Sequence, residues 1–290
     1  MQALEGKLLL GLIGAGIQRS LTPAMQEEEA RHHGLRLHYQ LIDLDQSPGA
    51  LAQLPGVLPS LLNSARIMGF AGLNITYPCK QAVIPLLDEL SDEAASMGAV
   101  NTVVVRDGRL VGHNTDGSGW AWGFTRALPA ADLACVVLLG AGGAGSAIAH
   151  AVLRLGAQRL RIVDTDAARS QALADALNAR YGPRAEVQGD AACAVQGATG
   201  LIHATPTGMA KLPGMPIQAT LLKPPMWVSE VVYFPLQTEL LATARARGCL
   251  TVDGGTMAVG QAVGAFELFT GRKADAARMA QHFQRLLAGT

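Results

Sequence analysis

The chain has 290 residues, enough for two domains of ordinary size, and 49% of them are apolar against 16% charged, which supplies buried cores and excludes a disordered chain. Lys plus Arg equals Asp plus Glu at 23 each, with no run of like charge, so the basic footprint of a nucleic-acid binder is missing and a small molecule is the expected partner. Four dispersed cysteines form no C-x-x-C pair and seven histidines no H-x-x-x-H spacing, which disfavours a metal and a disulfide framework and fits a reducing cytoplasm.

The apolar stretch at 8–17 is too short to span a bilayer and lacks the basic flank and cleavage site of a secretory signal, so residues 8–13 read as a buried first strand, with no membrane partner. Thr22-Pro23 ahead of a Glu-rich stretch predicts a helix start, with a capping hydroxyl, Pro at the first position and acids in the first turn. A strand at 37–42, a helix at 58–67, a strand at 69–76 and a helix at 80–90 continue the alternation, which implies an α/β fold with a mostly parallel sheet. A hairpin follows within 100–110, turning at Asp107-Gly108, and a polar stretch at 112–117 marks the domain boundary.

Beyond it, 120–128 reads as a helix and 134–139 as a buried strand running into Gly140-Ala141-Gly142-Gly143-Ala144-Gly145, which satisfies G-x-G-x-x-G. A helix at 146–155 and a strand at 160–163 complete a βαβ unit. The glycines permit a tight turn and close approach of backbone to a pyrophosphate at a helix amino end. Asp164 stands nineteen residues after Gly145, where a carboxylate accepts hydrogen bonds from ribose hydroxyls and repels a 2′-phosphate. That favours NAD over NADP, although Asp164 also suits a turn cap and Arg169 is within reach of a phosphate. Asp253-Gly254-Gly255 brings backbone close to the nicotinamide or forms the crossing back to the other domain, with Gly254 the expected contact.

Two polar strings, Asn74 to Lys80 and Asn114 to Gly117, each follow a strand, and loops at strand carboxyl ends line the crevice of an open α/β sheet. Singly, Lys80 would read as a surface lysine and Asp116 as a turn aspartate.

Together with Gly11-Leu12-Ile13-Gly14, Ser20-Leu21-Thr22-Pro23, Gly98-Ala99-Val100-Asn101-Thr102, the Gly140 loop, and Met257 with Gln261, these strings resemble the shikimate/quinate dehydrogenase family in order over nearly the whole chain. The resemblance implies a substrate-binding catalytic domain at 1–117 and 258–290 and an inserted Rossmann NAD-binding domain at 118–257, in a cytoplasmic monomer or homodimer without a metal. It implies Lys80 and Asp116 as the catalytic pair, Ser20, Thr22 and Tyr233 on the substrate carboxylate, and Asn74, Thr76, Asn101 and Gln261 on ring hydroxyls. Thr205, Val231 and Met257 join the loop, Asp164 and Gly254 as cofactor-binding positions. Oxidising a secondary alcohol needs a base within hydrogen-bond reach, and a free lysine is an ammonium at neutral pH. As a base, Lys80 therefore requires desolvation, proton sharing with Asp116 or alkaline pH. As an acid in the reverse direction it requires nothing unusual.

Ser20-Leu21-Thr22 and Asp164-Thr165-Asp166 depart from the Ser-x-Ser and Asn-Arg-Thr-like strings of NADP-using biosynthetic members and resemble the NAD-dependent quinate/shikimate branch. Cys79 replaces a Phe, read as neutral repacking, and His203 stands where Asn is common, read as a hydrogen-bonded loop residue. The alternatives are a shikimate-only enzyme, using NADP or acting on an aminated analogue, and a catalytically silent nucleotide-binding regulator.

Overall fold

A computed structural model describes residues 7–289. The chain divides into two compact units: one ends at Thr115 and resumes at Ala262, and the other is Asp116–Gln261. No helix among the described residues is long and apolar enough to cross a membrane.

In the first unit, β1 (Lys7–Gly14) is an interior strand, buried from its second residue onward except at half-buried Leu9. It follows that α1 (Thr22–His32), β2 (Arg36–Asp43), α2 (Leu54–Ile67) and β3 (Gly72–Ile75) build around it, with β2 and β3 both parallel to β1. After α3 (Cys79–Ala82), β4 (Glu89–Leu90) and α4 (Asp92–Met97), the antiparallel pair β5 (Thr102–Arg106) and β6 (Arg109–His113) completes a sheet of order β2-β1-β3-β5-β6-β4. The hairpin turns where expected: Asp107 and Gly108 both have positive φ, 52° and 75°, as a two-residue turn between twisted strands requires. Ile13, Leu58, Leu62, Leu73, Ile75 and Val103 form the core on one face.

Two expectations fail here. No helix runs over 80–90: α3 ends at Ala82, a 3-10 turn follows at Ile84–Leu86, and β4 begins at Glu89. Pro85 cannot donate a helical hydrogen bond, and Asp88 is drawn onto β6, donating its N–H to Leu110 O at 2.9 Å and accepting Leu110 N–H on its carboxylate at 2.7 Å. Thr22 is not the cap of α1. Leu21 is, already in right-handed helical conformation, and no acid lies in the first turn. Ser20 Oγ instead accepts the Thr22 N–H at 3.3 Å.

The second unit opens with α5 (Asp116–Ala127) and continues β7 (Val136–Leu139), α6 (Gly143–Arg154), β8 (Leu160–Val163), α7 (Ala167–Tyr181), β9 (Ala185–Val187), α8 (Ala191–Ala194), β10 (Gly200–His203), β11 (Trp227–Glu230), α9 (Glu239–Ala246) and β12 (Leu250–Val252). The division between units falls within α10 (Gly254–Thr270), and α11 (Ala276–Ala288) ends the described fold. All six strands of this sheet are parallel, in the order β12-β11-β10-β7-β8-β9. Renumbered within the unit this is 6-5-4-1-2-3, the doubly wound dinucleotide-binding order, whose ligand crevice lies at the carboxyl ends of the strands where the order reverses, between β7 and β10. Each of β7, β10 and β11 is buried along its whole length; an unbroken apolar run anticipates this for β7, whereas β10 ends in His203 and β11 in Ser229-Glu230.

Candidate active site

At the switch point the three spaced glycines serve three different ends. Gly140 takes φ +99°, and an added Cβ would lie 2.8 Å from Ala204 O at the end of β10. A Cβ on Gly145 would collide with Gly140 O, so this glycine lets α6 pack against the loop. A Cβ on Gly142 would meet nothing within 4 Å. The middle glycine therefore faces open space at the amino end of α6, for which it is the cap residue, and backbone there can approach a pyrophosphate. The loop thus fits a dinucleotide on its own geometry.

Asp164 follows β8 and ties the loop down. Its Oδ2 accepts Ala141 N–H at 2.6 Å, and its Oδ1 accepts Asp166 N–H at 2.8 Å and Arg169 Nη2 at 2.6 Å. Burial pushes its carboxyl up, but the Arg169 guanidinium and the two backbone amides outweigh that and hold it below its ordinary value. Arg169 is 45% exposed and so has room to move. Asp164 is thus a strut for the loop, and its carboxylate stands just after the second strand of the sheet, where a ribose is expected.

Three more expected cofactor positions share this edge of the sheet. Thr205 lies against Gly140, whose added Cβ would be 2.9 Å from its Cγ2. Val231 follows β11 and bonds back to β10 through its N–H to His203 O at 3.0 Å. A Cβ on Gly254 would lie 2.5 Å from both Val231 O and Val232 O, so only glycine permits α10 to start there. Met257 is buried one turn further on, and Tyr233 is exposed in the loop after β11.

Asp116, buried at 4% exposure, opens α5. Added Cβ atoms at Gly119 and Gly260 would strike the backbones of Gln261 and Gly119 respectively. These glycines let α5 and the first half of α10 approach backbone to backbone, which brings the start of the Asp116 helix beside Gln261. Gln261 Nε2 donates to Ala258 O at 3.1 Å.

The remaining expected residues gather at the carboxyl ends of β1 and β3 in the first unit. Ala15 N–H donates to Tyr77 O, Thr76 N–H to Ile13 O, Ile75 N–H to Asn101 O and Val100 N–H to Lys80 O, each at 2.8 or 2.9 Å. Thr76, Lys80 and Asn101 are thereby held on one edge. Asn74 is less available than expected: both its amide hydrogens are engaged, by Asn101 O at 3.2 Å and Thr102 Oγ1 at 3.0 Å, while its Oδ1 accepts the hydroxyl of buried Tyr39 at 2.7 Å. It can offer a ligand only a second lone pair. Asn101 Oδ1 accepts Thr115 N–H at 2.8 Å and its Nδ2 donates to Thr115 Oγ1 at 2.9 Å, so this amide also braces the connector after β6 that leads to Asp116. Cys79 is fully buried and burial pushes its thiol up to about 11, which makes it packing rather than a nucleophile.

Two further carboxylates, one in each unit, support these loops. Asp43, the last residue of β2, accepts Gly16 N–H (2.9 Å), Ile17 N–H (3.2 Å), Asp45 N–H (3.1 Å) and Gln18 Nε2 (3.0 Å), pinning the loop that delivers Ser20 and Thr22. Burial raises its carboxyl, but these donors win and it is lowered. Glu230 ends β11 beside His203 and is fully buried. An acid inside the apolar run 226–232 is the signal that marks it.

The sequence matches the shikimate dehydrogenase substrate binding domain over residues 12–103 and the shikimate 5′-dehydrogenase C-terminal domain over 254–282. It is 55% identical to a shikimate dehydrogenase (NADP(+)) of Streptomyces avermitilis, over 99% of this chain and 98% of that one. It is 48% identical to a quinate/shikimate dehydrogenase (NAD(+)) of Corynebacterium efficiens, over 96% and 98%. Among solved structures, the quinate dehydrogenase from Corynebacterium glutamicum in complex with NAD aligns at TM-score 0.88 and 45% identity, covering 97% of this chain and 100% of that one.

Proposed function

The chain belongs to the shikimate dehydrogenase family, and from that premise we propose that it transfers a hydride between NAD and the C3 hydroxyl of quinate and shikimate. The ketone partners are 3-dehydroquinate and 3-dehydroshikimate. One observation carries the cofactor half of this reading: an acid, Asp164, directly follows the second strand of the dinucleotide sheet and is bonded to the glycine loop at Ala141. A 2′-phosphate there would meet a carboxylate, and ribose hydroxyls would meet an acceptor. The solved quinate dehydrogenase with NAD supports the same choice.

In the proposed mechanism bound NAD supplies the hydride acceptor at nicotinamide C4. Lys80 takes the hydroxyl proton as the C3–H bond breaks, and returns it to the carbonyl oxygen in the reverse direction. Asp116 orients the ammonium and accepts from a neighbouring hydroxyl. Ser20, Thr22 and Tyr233 donate to the substrate carboxylate, and Thr76, Asn101 and Gln261 read ring hydroxyls. Asn74 acts mainly by fixing Asn101. The first unit holds the substrate and the second the dinucleotide, in a cytoplasmic monomer or homodimer.

A second reading is favoured by the 55% relative named for NADP: a shikimate-only enzyme in which Arg169 leaves Asp164 for a 2′-phosphate. Initial rates with NAD and NADP, each with quinate and shikimate, at neutral and alkaline pH, decide between them. NAD-linked turnover of quinate is the expected result. Turnover of shikimate with NADP alone would overturn it in favour of the second reading.

A further inference from the structure

A chain of buried polar groups joins the ends of β10 and β11. His203 and Glu230 are partners in the parallel register, with exposures of 0% and 1%. Glu230 Oε1 accepts the N–H groups of Val231 (2.9 Å) and Val232 (3.0 Å), and its Oε2 accepts the Thr238 hydroxyl at 3.0 Å. His203 Nδ1 lies 2.8 Å from the same Oε1. Every other neighbour of this carboxylate is a donor, so Nδ1 carries hydrogen and donates too. Only Nε2 remains free to change state. It lies 2.5 Å from Thr205 Oγ1, which also accepts the Thr207 N–H at 3.4 Å, and Thr205 sits against Gly140 of the cofactor loop.

The two states of Nε2 give Thr205 opposite polarity. A bare Nε2 holds the hydroxyl hydrogen on the ring, leaving the oxygen with nothing to donate outward. A protonated Nε2 donates to Oγ1. With Thr207 N–H on the other lone pair, the hydroxyl hydrogen then turns away from the ring and becomes available to an acceptor in the crevice. The phosphates of a dinucleotide can only accept.

We propose that His203 is a positioning residue for the dinucleotide: it takes up a proton at Nε2 as the dinucleotide binds, and so turns Thr205 into a donor toward it. The proposal rests on the dinucleotide reading above. Imidazole is the ordinary side chain that changes charge near neutral pH, and Glu230 keeps the protonated pair neutral overall. Among the described residues, no second titratable group bonds to His203. In β7 the register partner is Leu139, α9 supplies the Thr238 cap with the following Glu239 exposed, and Asp164 and Arg169 lie beyond β8, two strands away.

The test titrates the full-length protein with NADH between about pH 5.5 and 8.5, following nicotinamide fluorescence, with calorimetry in two buffers of different ionisation enthalpy to count protons. Wild type is expected to take up a fraction of a proton, with Kd rising by up to about tenfold per pH unit. His203→Asn, which keeps hydrogen-bonding capacity without titrating, and Thr205→Val, which leaves Nε2 without its partner, are both expected to flatten that dependence. A purely structural role would shift Kd equally at all pH values. The same proton uptake in wild type and in both variants overturns the proposal. Failure of wild type to bind either NADH or NADPH would instead overturn the functional reading beneath it.

Discussion

Asp164→Asn keeps the shape of the side chain and removes one charge from a position that both struts the glycine loop and faces the expected ribose. Its carboxylate holds Ala141 N–H, Asp166 N–H and the Arg169 guanidinium. An asparagine turns one acceptor into an NH₂ facing a donor, so the loop itself loses about 1 kcal/mol. Both dinucleotides use that loop, and this loss cancels in the ratio of their kcat/KM values. What does not cancel is the 2′ end. NAD loses a charge-assisted bond to its ribose, about 1.5–3 kcal/mol or roughly 10- to 150-fold. NADP loses a repulsion, and Arg169, already 45% exposed, is freed from an exposed-side pair that holds it by about 1 kcal/mol at most. The ratio of NAD to NADP kcat/KM is therefore expected to swing toward NADP by about 100-fold, read from initial rates and from NADH and NADPH titrations. Equal losses with the two cofactors would refute the reasoning and leave Asp164 as a loop strut alone.

The glycines of the loop separate binding from folding. Gly142→Ala, whose Cβ meets nothing, should leave Tm within a few degrees of wild type yet weaken NADH binding at least tenfold, whereas Gly145→Ala, whose Cβ strikes the Gly140 carbonyl, should lower Tm as well. Asp43→Ala frees three donors of the 15–18 loop and the Asp45 N–H and is expected to raise KM for the hydroxy acid several-fold while leaving the Kd for NADH unchanged; a parallel loss of NADH affinity would point to general unfolding. In acid, Glu29, Asp43 and Asp164 act together because the carboxyls of all three are lowered. A lowered carboxyl contributes stability that is complete above its unfolded value, about 4, and lost as pH falls through the lower folded value. The urea midpoint should accordingly fall steeply below about pH 4, and Glu29→Gln, which cuts the bonds to Arg278, His33 and the Asp275 amide, should cost about 2–3 kcal/mol at neutral pH and flatten the acid limb.

What the sequence discloses is whatever depends on near neighbours. The βαβ unit around Gly140 is legible because strand, turn glycines and helix follow one another within about thirty residues, and each glycine's steric reason is local. The hairpin at Asp107-Gly108 is legible for the same reason. The stretch 80–90 misleads because its apolar spacing is helical while Pro85 forbids the hydrogen bonds and Asp88 bonds to a strand more than twenty residues further on. Thr22 misleads because the capping pattern is present but the chain enters the helix one residue earlier, and Ser20 supplies the oxygen.

The site is legible as a set of residue types and illegible as a set of supports, and the supports follow one rule. Asp43, Asp88, Asp164 and Glu230 each stand at or next to the end of a strand or turn, and each accepts backbone N–H groups of a loop or neighbouring strand. The amides of Gly16, Leu110 and Ala141, held by Asp43, Asp88 and Asp164 respectively, are each more than twenty residues away from their acceptor. A carboxylate has about four lone-pair positions and gathers several amides at once, so a chain with only 23 acids can fix several loops without a buried arginine in each. Catalysis in this fold depends on loops holding donors to within a fraction of an ångström. The parallel register decides which acid meets which loop: β2 against β1 sets Asp43 beside Gly14, and β11 against β10 sets Glu230 beside His203. A shift of either register by one residue would leave Lys80, Thr22 and the glycine loop in the sequence and dissolve the geometry that the proposed chemistry requires of them.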